Sequence, residues 1–258
     1  MARFTYLQAI YSSFYSSDLY RDIKDNWGAD VLLYLLMVLG ICWAVSTVFI
    51  QIAINTHYNK FADIVAPQLP IITIKKGLVS TPENRPYYIK GENNKDFAVI
   101  DTSGQVTTLK DTDAQFLLTN HEIMSKNNEN EIRTRTISES INVEFVPVVV
   151  KEQLRKIVHF AWIIVFPVCL FISFIYRILQ AVLYALLGML FSVLSAASLS
   201  YINLLKLSVV AITPSIIIVT ILNCFSIQFR LMWLVFFVMS MGYVVFAIRA
   251  NNQKMKNQ

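Results

Sequence analysis

Residues 31–54 read VLLYLLMVLGICWAVSTVFIQIAI, a stretch without one charged side chain, and its reading decides the fold. A helix rises 1.5 Å per residue, so about 20 mostly apolar residues cross about 30 Å of hydrocarbon. Asp30 bounds the stretch on one side and Asn55-Thr56-His57 on the other. Four more apolar runs follow at Ile157–Tyr176, Ile178–Ile202, Leu207–Phe229 and Leu231–Ile248, punctuated by Arg177, Lys206 and Arg230. Uninterrupted runs of this length read as spans rather than as buried helices of a soluble domain. The expected fold is an α-helical integral membrane protein with about five transmembrane helices and an inserted small β-rich soluble domain. One residue cannot join two antiparallel helices, so turns are expected within Ser173–Gln180, Ile202–Lys206 and Ser226–Leu231.

Composition agrees with that reading. Of 258 residues, 55% are hydrophobic and 15% charged, and the mean hydropathy is +0.52. Soluble domains carry about 25% charged residues. The net charge of +5 is unevenly placed. Residues 1–30 hold three basic and four acidic side chains, residues 55–156 thirteen of each, and residues 157–258 six basic and none acidic. Single cations between apolar runs are what membrane flanks leave behind, not a phosphate-binding face. No nucleic-acid partner is expected.

The first apolar run is read as a span and not as a cleavable signal. Thirty residues precede it, and it exceeds the 7–15 apolar residues of a signal. Cys42, Cys169 and Cys224 all fall inside predicted spans, where they behave as small apolar residues and build no disulfide or metal framework. Ala181, Ala185, Gly188, Ser192 and Ser195 recur on one helical face, a packing seam that lets backbones approach closely. A pore lining is the alternative. Thr213-Pro214 predicts a kink in the fourth span, and Asn203 and Asn223 are candidates for hydrogen bonds between helices. No Asp or Glu follows Glu152. A carboxylate-driven pump is therefore not expected, because a coupling ion needs a partner at membrane depth.

Residues 1–26 predict an amphipathic helix, with Phe4, Leu7, Ile10 or Tyr11, and Phe14 on one face. It would lie in the headgroup layer or pack on the protein itself. Residues 55–156 are polar, charge-balanced and hold five of the seven prolines, enough chain for one small domain. Strands are expected at Ile71–Ile74, Tyr87–Ile89, Phe97–Ile100 and Phe145–Val150, with a hairpin of Glu122–Ser125 and Ile132–Ile137 around Asn127-Asn128-Glu129-Asn130. A short helix is expected near Asp113–Leu118. The domain plan is then an interfacial helix over 1–30, a first span over 31–54, a β-rich domain over 55–156, a four-span block over 157–248 and a basic polar tail over 249–258.

Val99-Ile100-Asp101-Thr102-Ser103-Gly104 is similar to the active-site loop of aspartic proteases. Those enzymes need two such aspartates sharing a proton. One copy is present, so only a dimer would serve, and the same residues also fit a strand ending in an Asp-x-x-Gly turn. His57, His121 and His159 have no ligand-like spacing. There is no G-x-S-x-G, phosphate-binding glycine loop or C-x-x-C. No catalytic, cofactor-binding or metal residue is assigned, and no cofactor is expected. Asp101, Gly104, Gly188, Thr213 and Pro214 are singled out as structural positions.

Several motifs recur in a known order. They are Trp27-Gly28 with Leu32-Leu33-Tyr34-Leu35-Leu36, then Pro70-Ile71-Ile72-Thr73-Ile74-Lys75-Lys76-Gly77-Leu78-Val79-Ser80 and Pro86, then Asp101-Thr102-Ser103-Gly104, and lastly Ala211-Ile212-Thr213-Pro214. Over nearly its whole length the chain resembles the bacterial domain-of-unknown-function family 1189, and its C-terminal half is similar in pattern to Yip-type integral membrane proteins. The resemblance implies architecture and transfers no functional residue.

Arg21 and Lys24 precede the first span and only Lys60 closely follows it, which favours a cytoplasmic N-terminus and an extracytoplasmic insert. Counting cations at all five span ends favours the reverse. The leading expectation is a non-enzymatic, multi-pass protein of the bacterial inner membrane. It would display a β-rich interaction or sensing domain, with the lipid bilayer and another membrane or envelope protein as partners. Oligomeric state is left open. The alternative is a transporter or channel component with Asn203, Thr213 and Asn223 along its path. A dimeric membrane-tethered aspartic protease is the remote one.

Overall fold

The computed structural model describes residues 3–92, 94–110, 112–128, 131–195, 197 and 199–252. The basic tail expected over 249–258 therefore lies outside the described residues beyond Asn252, as do Glu129 and Asn130 of the expected hairpin tip. The chain divides into two units, residues 1–50 with 162–258, and residues 51–161.

The first unit is helical. In place of one helix over 1–26 there are two, α1 (Tyr6–Ser12) and α2 (Ser17–Asn26). Each begins at its own cap. Thr5 and Gln8 form a reciprocal capping box, and the Ser16 hydroxyl accepts from the Leu19 amide. Leu19, Tyr20, Ile23 and Trp27 are buried, so α2 packs on the protein, while Leu7, Tyr11 and Tyr15 stay exposed. The long helix α3 (Asp30–Lys60) contributes Val31, Tyr34, Leu35, Val38 and Leu39 to the same core.

The expected count of five spans becomes four. Among the described residues, four helices are long and apolar enough to cross a membrane. Ile157–Tyr176 and Ile178–Ile202 do not form two helices with a turn at Ser173–Gln180. A single helix, α4, runs from Pro147 to Leu194. One cation does not stop a helix when no Gly or Pro follows it, and Arg177 donates to Gln180 three residues on, at 2.6 Å. The turn expected within Ile202–Lys206 is displaced too, because α5 (Tyr201–Ala211) starts at its Ser200 cap. The anticipated kink is a break. Helix α5 ends at Ile212, and α6 (Thr213–Cys224) restarts with Pro214 in its first turn, where a missing N–H costs nothing. Helix α7 (Met232–Asn252) completes the unit.

The second unit holds two small β-sheets. Strands β1 (Ile72–Lys75), β2 (Leu78–Ser80) and β8 (Val143–Phe145) form an antiparallel sheet of order β2-β1-β8. Strands β3 (Tyr87–Lys90), β4 (Asp96–Ile100), β5 (Phe116–Leu118), β6 (Glu122–Asn128) and β7 (Glu131–Thr136) form the other in sequence order, with β4 and β5 parallel. The helix expected near Asp113–Leu118 is thus a strand, since Phe116–Leu118 is claimed by ladders from β4 and β6 on either side. The strand expected over Phe145–Val150 stops at Phe145, because Pro147 opens α4. Val99, Leu109, Ala114 and Leu117 form one small core, and Ile74, Val79 and Ile137 another.

The β1–β2 hairpin pairs Lys75 with Leu78 and turns on Lys76 and Gly77, whose φ values are 50° and 75°. Two consecutive positive φ angles make the primed turn that matches strand twist. A Cβ on Gly77 would lie 2.9 Å from the Ile137 carbonyl oxygen. Gly77→Ala is expected to destabilise this sheet by about 1–3 kcal/mol. Faster amide exchange over residues 72–80 of the full chain, with the 96–100 strand unchanged, is the measurement.

Candidate functional site

The Asp101 loop is built by the strand before it. Asp101 follows β4, and its amide donates to the Leu118 carbonyl at 2.8 Å. Its carboxylate is fully buried. Oδ1 accepts from the Ser103 amide at 2.8 Å and the Ser103 hydroxyl at 2.6 Å, and Oδ2 from the Val106 amide at 2.5 Å. Burial alone would raise the pKa. The hydrogen bonds from the Ser103 hydroxyl and the backbone amides of Val106, Ser103 and Gln105 outweigh it and hold the group below the ordinary carboxylate range. Gly104 takes φ 81°, the left-handed geometry this turn needs. Thr102 and Thr81 share a hydroxyl contact at 2.8 Å. A carboxylate so enclosed is a fixed anion that closes a loop. It does not present itself to a second aspartate.

Asp22 is organised by the same chemistry in the helical unit. It accepts from the Arg3 amide at 3.0 and 3.1 Å, the Phe4 amide at 3.4 Å, Asn26 Nδ2 at 2.7 Å and Trp27 Nε1 at 3.0 Å. Burial pushes its pKa up, and these donors together bring it below the usual value. The side chain thereby ties the start of the chain to α2 and to the buried Trp27. Around it, Tyr20 donates its hydroxyl to the Ser13 carbonyl at 2.7 Å, and Trp27, Tyr6 and Tyr34 stack edgewise.

The other singled-out residues are buried in the helical unit, with different neighbours. Ala181, Ala185, Gly188 and Ser192 are buried on α4, and a Cβ on Gly188 would come 3.3 Å from Val244 Cγ1 and 3.6 Å from Leu204 Cδ2. Side chains of α7 and α5 occupy the space that a Cβ there would need. Ser195, the last of the series, is partly exposed, and its carbonyl accepts from Asn252 Nδ2 at 2.6 Å. Thr213 is fully buried and shares a hydroxyl contact of 3.0 Å with Tyr34. Pro214 is buried beside it, and Ser215 meets Ser240 at 2.6 Å. Asn203 and Asn223 stand at opposite ends of the α5–α6 pair and do not converge with Thr213.

In the β-containing unit a cavity of about 490 Å³ is lined by His57, Lys60 and Phe61 from the end of α3 and by Glu92, Lys95 and Phe97 from the β3–β4 turn and β4. Lys60 Nζ bridges Glu92 at 2.9 Å. Sequence reading missed this site because the polar residues after Ile54 looked like the end of a helix. Instead the helical path continues to Gln68 through a π-turn at Phe61–Val65, and residues 57, 60, 61, 64 and 65 follow the helical spacing that could have revealed it. Among the described residues, no group of three or more His, Cys, Asp or Glu side chains is placed to hold a metal ion.

Asp101→Asn puts an amide N–H₂ against the Ser103 or Val106 N–H and is expected to cost the β-containing unit about 1–3 kcal/mol, read as a lower thermal midpoint. Asp22 and Asp101 both have lowered pKa values when folded, so the stability they contribute is present above the ordinary value of 3.8. It should fall away as pH drops through the folded values. Acid titration of the full chain in detergent should show a loss below about pH 4 that is shallower in Asp22→Asn, and a curve unchanged by that variant contradicts the assignment.

No curated protein and no solved structure matches the chain. The family model described as "Protein of unknown function (DUF1189)" matches residues 7–248, which take in α2 with its Asp22 anchor, the Asp101 loop and the Thr213-Pro214 break. The chain belongs to that family.

Proposed function

We propose that the chain is a non-enzymatic, multi-pass protein of the bacterial inner membrane. Its β-containing unit acts as an extracytoplasmic interaction or sensing module for another membrane or envelope protein. One observation carries the membrane part: the most apolar stretch of α4 has none of its residues buried. Ile164, Phe171, Ile172, Leu179 and Leu183 on α4, and Trp233 and Val238 on α7, are largely exposed. Monomeric soluble proteins rarely leave contiguous apolar patches beyond a few hundred Å² uncovered. Lipid tails would cover this surface, and the helices already satisfy their own backbone groups as hydrocarbon requires.

Four crossings put both termini on one side. Arg21, Lys24, Lys206, Arg249, Lys254 and Lys256 then share the side of the N-terminus, against Lys60, Lys151, Arg155, Lys156 and Arg230 on the side of the insert. The whole-chain count no longer opposes the bias of the first span, and both favour a cytoplasmic N-terminus. The interaction role is supported by the mixed-charge cavity beside Lys60 and Glu92 and by the enclosure of Asp101. For the transport reading, Thr213 Oγ1 is buried and accepts from the Tyr34 hydroxyl, and Asn203 and Asn223 do not converge on it.

Reporter fusions test the proposal. An enzyme active only after export should be active when fused after residue 110 and inactive at residue 258. Activity at both sites restores an odd number of crossings, and inactivity at 110 with activity at 258 reverses the orientation. Recovery of the intact chain in the soluble fraction after cell disruption, without detergent, overturns the membrane reading.

A further inference from the structure

Arg177 is the one cation between Ile157 and Leu205, and no Asp or Glu occurs anywhere after Glu152. In the helical unit its guanidinium lies 5.5 Å from the centre of the Tyr176 ring, and Nη1 donates to Gln180 Oε1 at 2.6 Å. Gln180 is held in turn, its Nε2 donating to the Tyr184 hydroxyl at 2.9 Å. Nε of Arg177 is buried and has no hydrogen-bond partner. The carboxylates of this unit are engaged elsewhere: Asp18 with Arg21, Asp22 with its four donor residues, Asp25 with Lys24, and Asp30 with the Tyr6 hydroxyl.

A guanidinium carries five N–H donors and stays charged at any working pH. A charge taken out of water is costly unless it is paired. Among the described residues the surroundings offer one amide oxygen, the Tyr176 π-face and no paired carboxylate, so these residues leave the positive charge uncompensated. Its planar fork matches a phosphate or carboxylate through two parallel hydrogen bonds. The geometry points to Arg177 as a binding site for a phosphate-class anion, with Gln180 and Tyr184 holding the fork in place. The anion is a phospholipid headgroup or free phosphate. The lipid source rests on the membrane reading above, and the free-anion source does not.

The full chain, purified in neutral detergent and stripped of lipid, is the test material. In one arm it is exposed to detergent micelles carrying phosphatidylglycerol and phosphate-free diacylglycerol, and retained lipid is counted by native mass spectrometry. Wild type should prefer phosphatidylglycerol by about tenfold or more, Arg177→Gln should show no preference, and Lys206→Gln should behave as wild type. In the other arm, inorganic phosphate should raise the thermal midpoint of wild type and leave Arg177→Gln unmoved if the site takes the free anion. An Arg177-dependent response in either arm supports the site and identifies its source. No response in both arms, an equal response from Arg177→Gln, or a loss of preference in Lys206→Gln overturns it. Folding is read separately. Without any anion, Arg177→Gln should melt at or above wild type, because an uncompensated charge has been removed. A lower midpoint would make Arg177 a structural partner within the chain and would also overturn the proposal. Failure of the membrane reading is distinguished by fractionation, and the phosphate arm still reports on Arg177 in that case.

Discussion

Apolar helix surface that the chain itself leaves exposed is the constraint on which the rest of this structure depends. Helices α3, α4 and α7 are apolar on more faces than the chain can cover, and α4 leaves its most apolar stretch uncovered. A helix hydrophobic all round needs a second apolar medium. Where helices are apolar on every face, small residues and polar contacts are what distinguish the packed face from the rest. Both occur here. Side chains from α5 and α7 pack over the buried Gly188 of α4, and hydroxyl pairs join Tyr34 to Thr213 and Ser215 to Ser240.

The polar end of the helical unit uses a different device. Helix α2 packs on the ends of α5 and α7, where Arg21 donates to the Ala250 carbonyl at 2.9 Å and Asn251 to the Tyr20 carbonyl at 3.3 Å. The Ala250 carbonyl lies in the last turn of α7 and lacks an intrahelical partner, which Arg21 supplies. Asp22 fixes α2 in turn by gathering amide and indole donors from both directions along the chain.

Asp22 and Asp101 solve one problem in the same way. Each is a buried carboxylate neutralised by neutral N–H and O–H groups, with no cation among those donors. Such groups cost no second desolvated charge, so the arrangement suits small units with little core to spare. It also holds both carboxylates in place within their own units. Arg177 is the converse, a charge whose surroundings contain too few acceptors.

The sequence by itself determined which stretches are apolar, that residues 55–156 differ in kind, and where several strands lie. These properties are local: a run of aliphatic side chains, a β-branched cluster between prolines, or a glycine forced to positive φ reads the same in any context. The Asp-x-x-Gly turn at Asp101 and the small-residue face around Gly188 were legible for that reason. Only the tertiary structure decided the rest. Phe116–Leu118 is extended because two neighbouring strands claim its backbone. The N-terminal helices dock because donors from Arg3, Phe4 and Trp27 converge on Asp22. Each outcome depends on partners supplied by other segments, and a linear pattern carries no record of which partners will arrive.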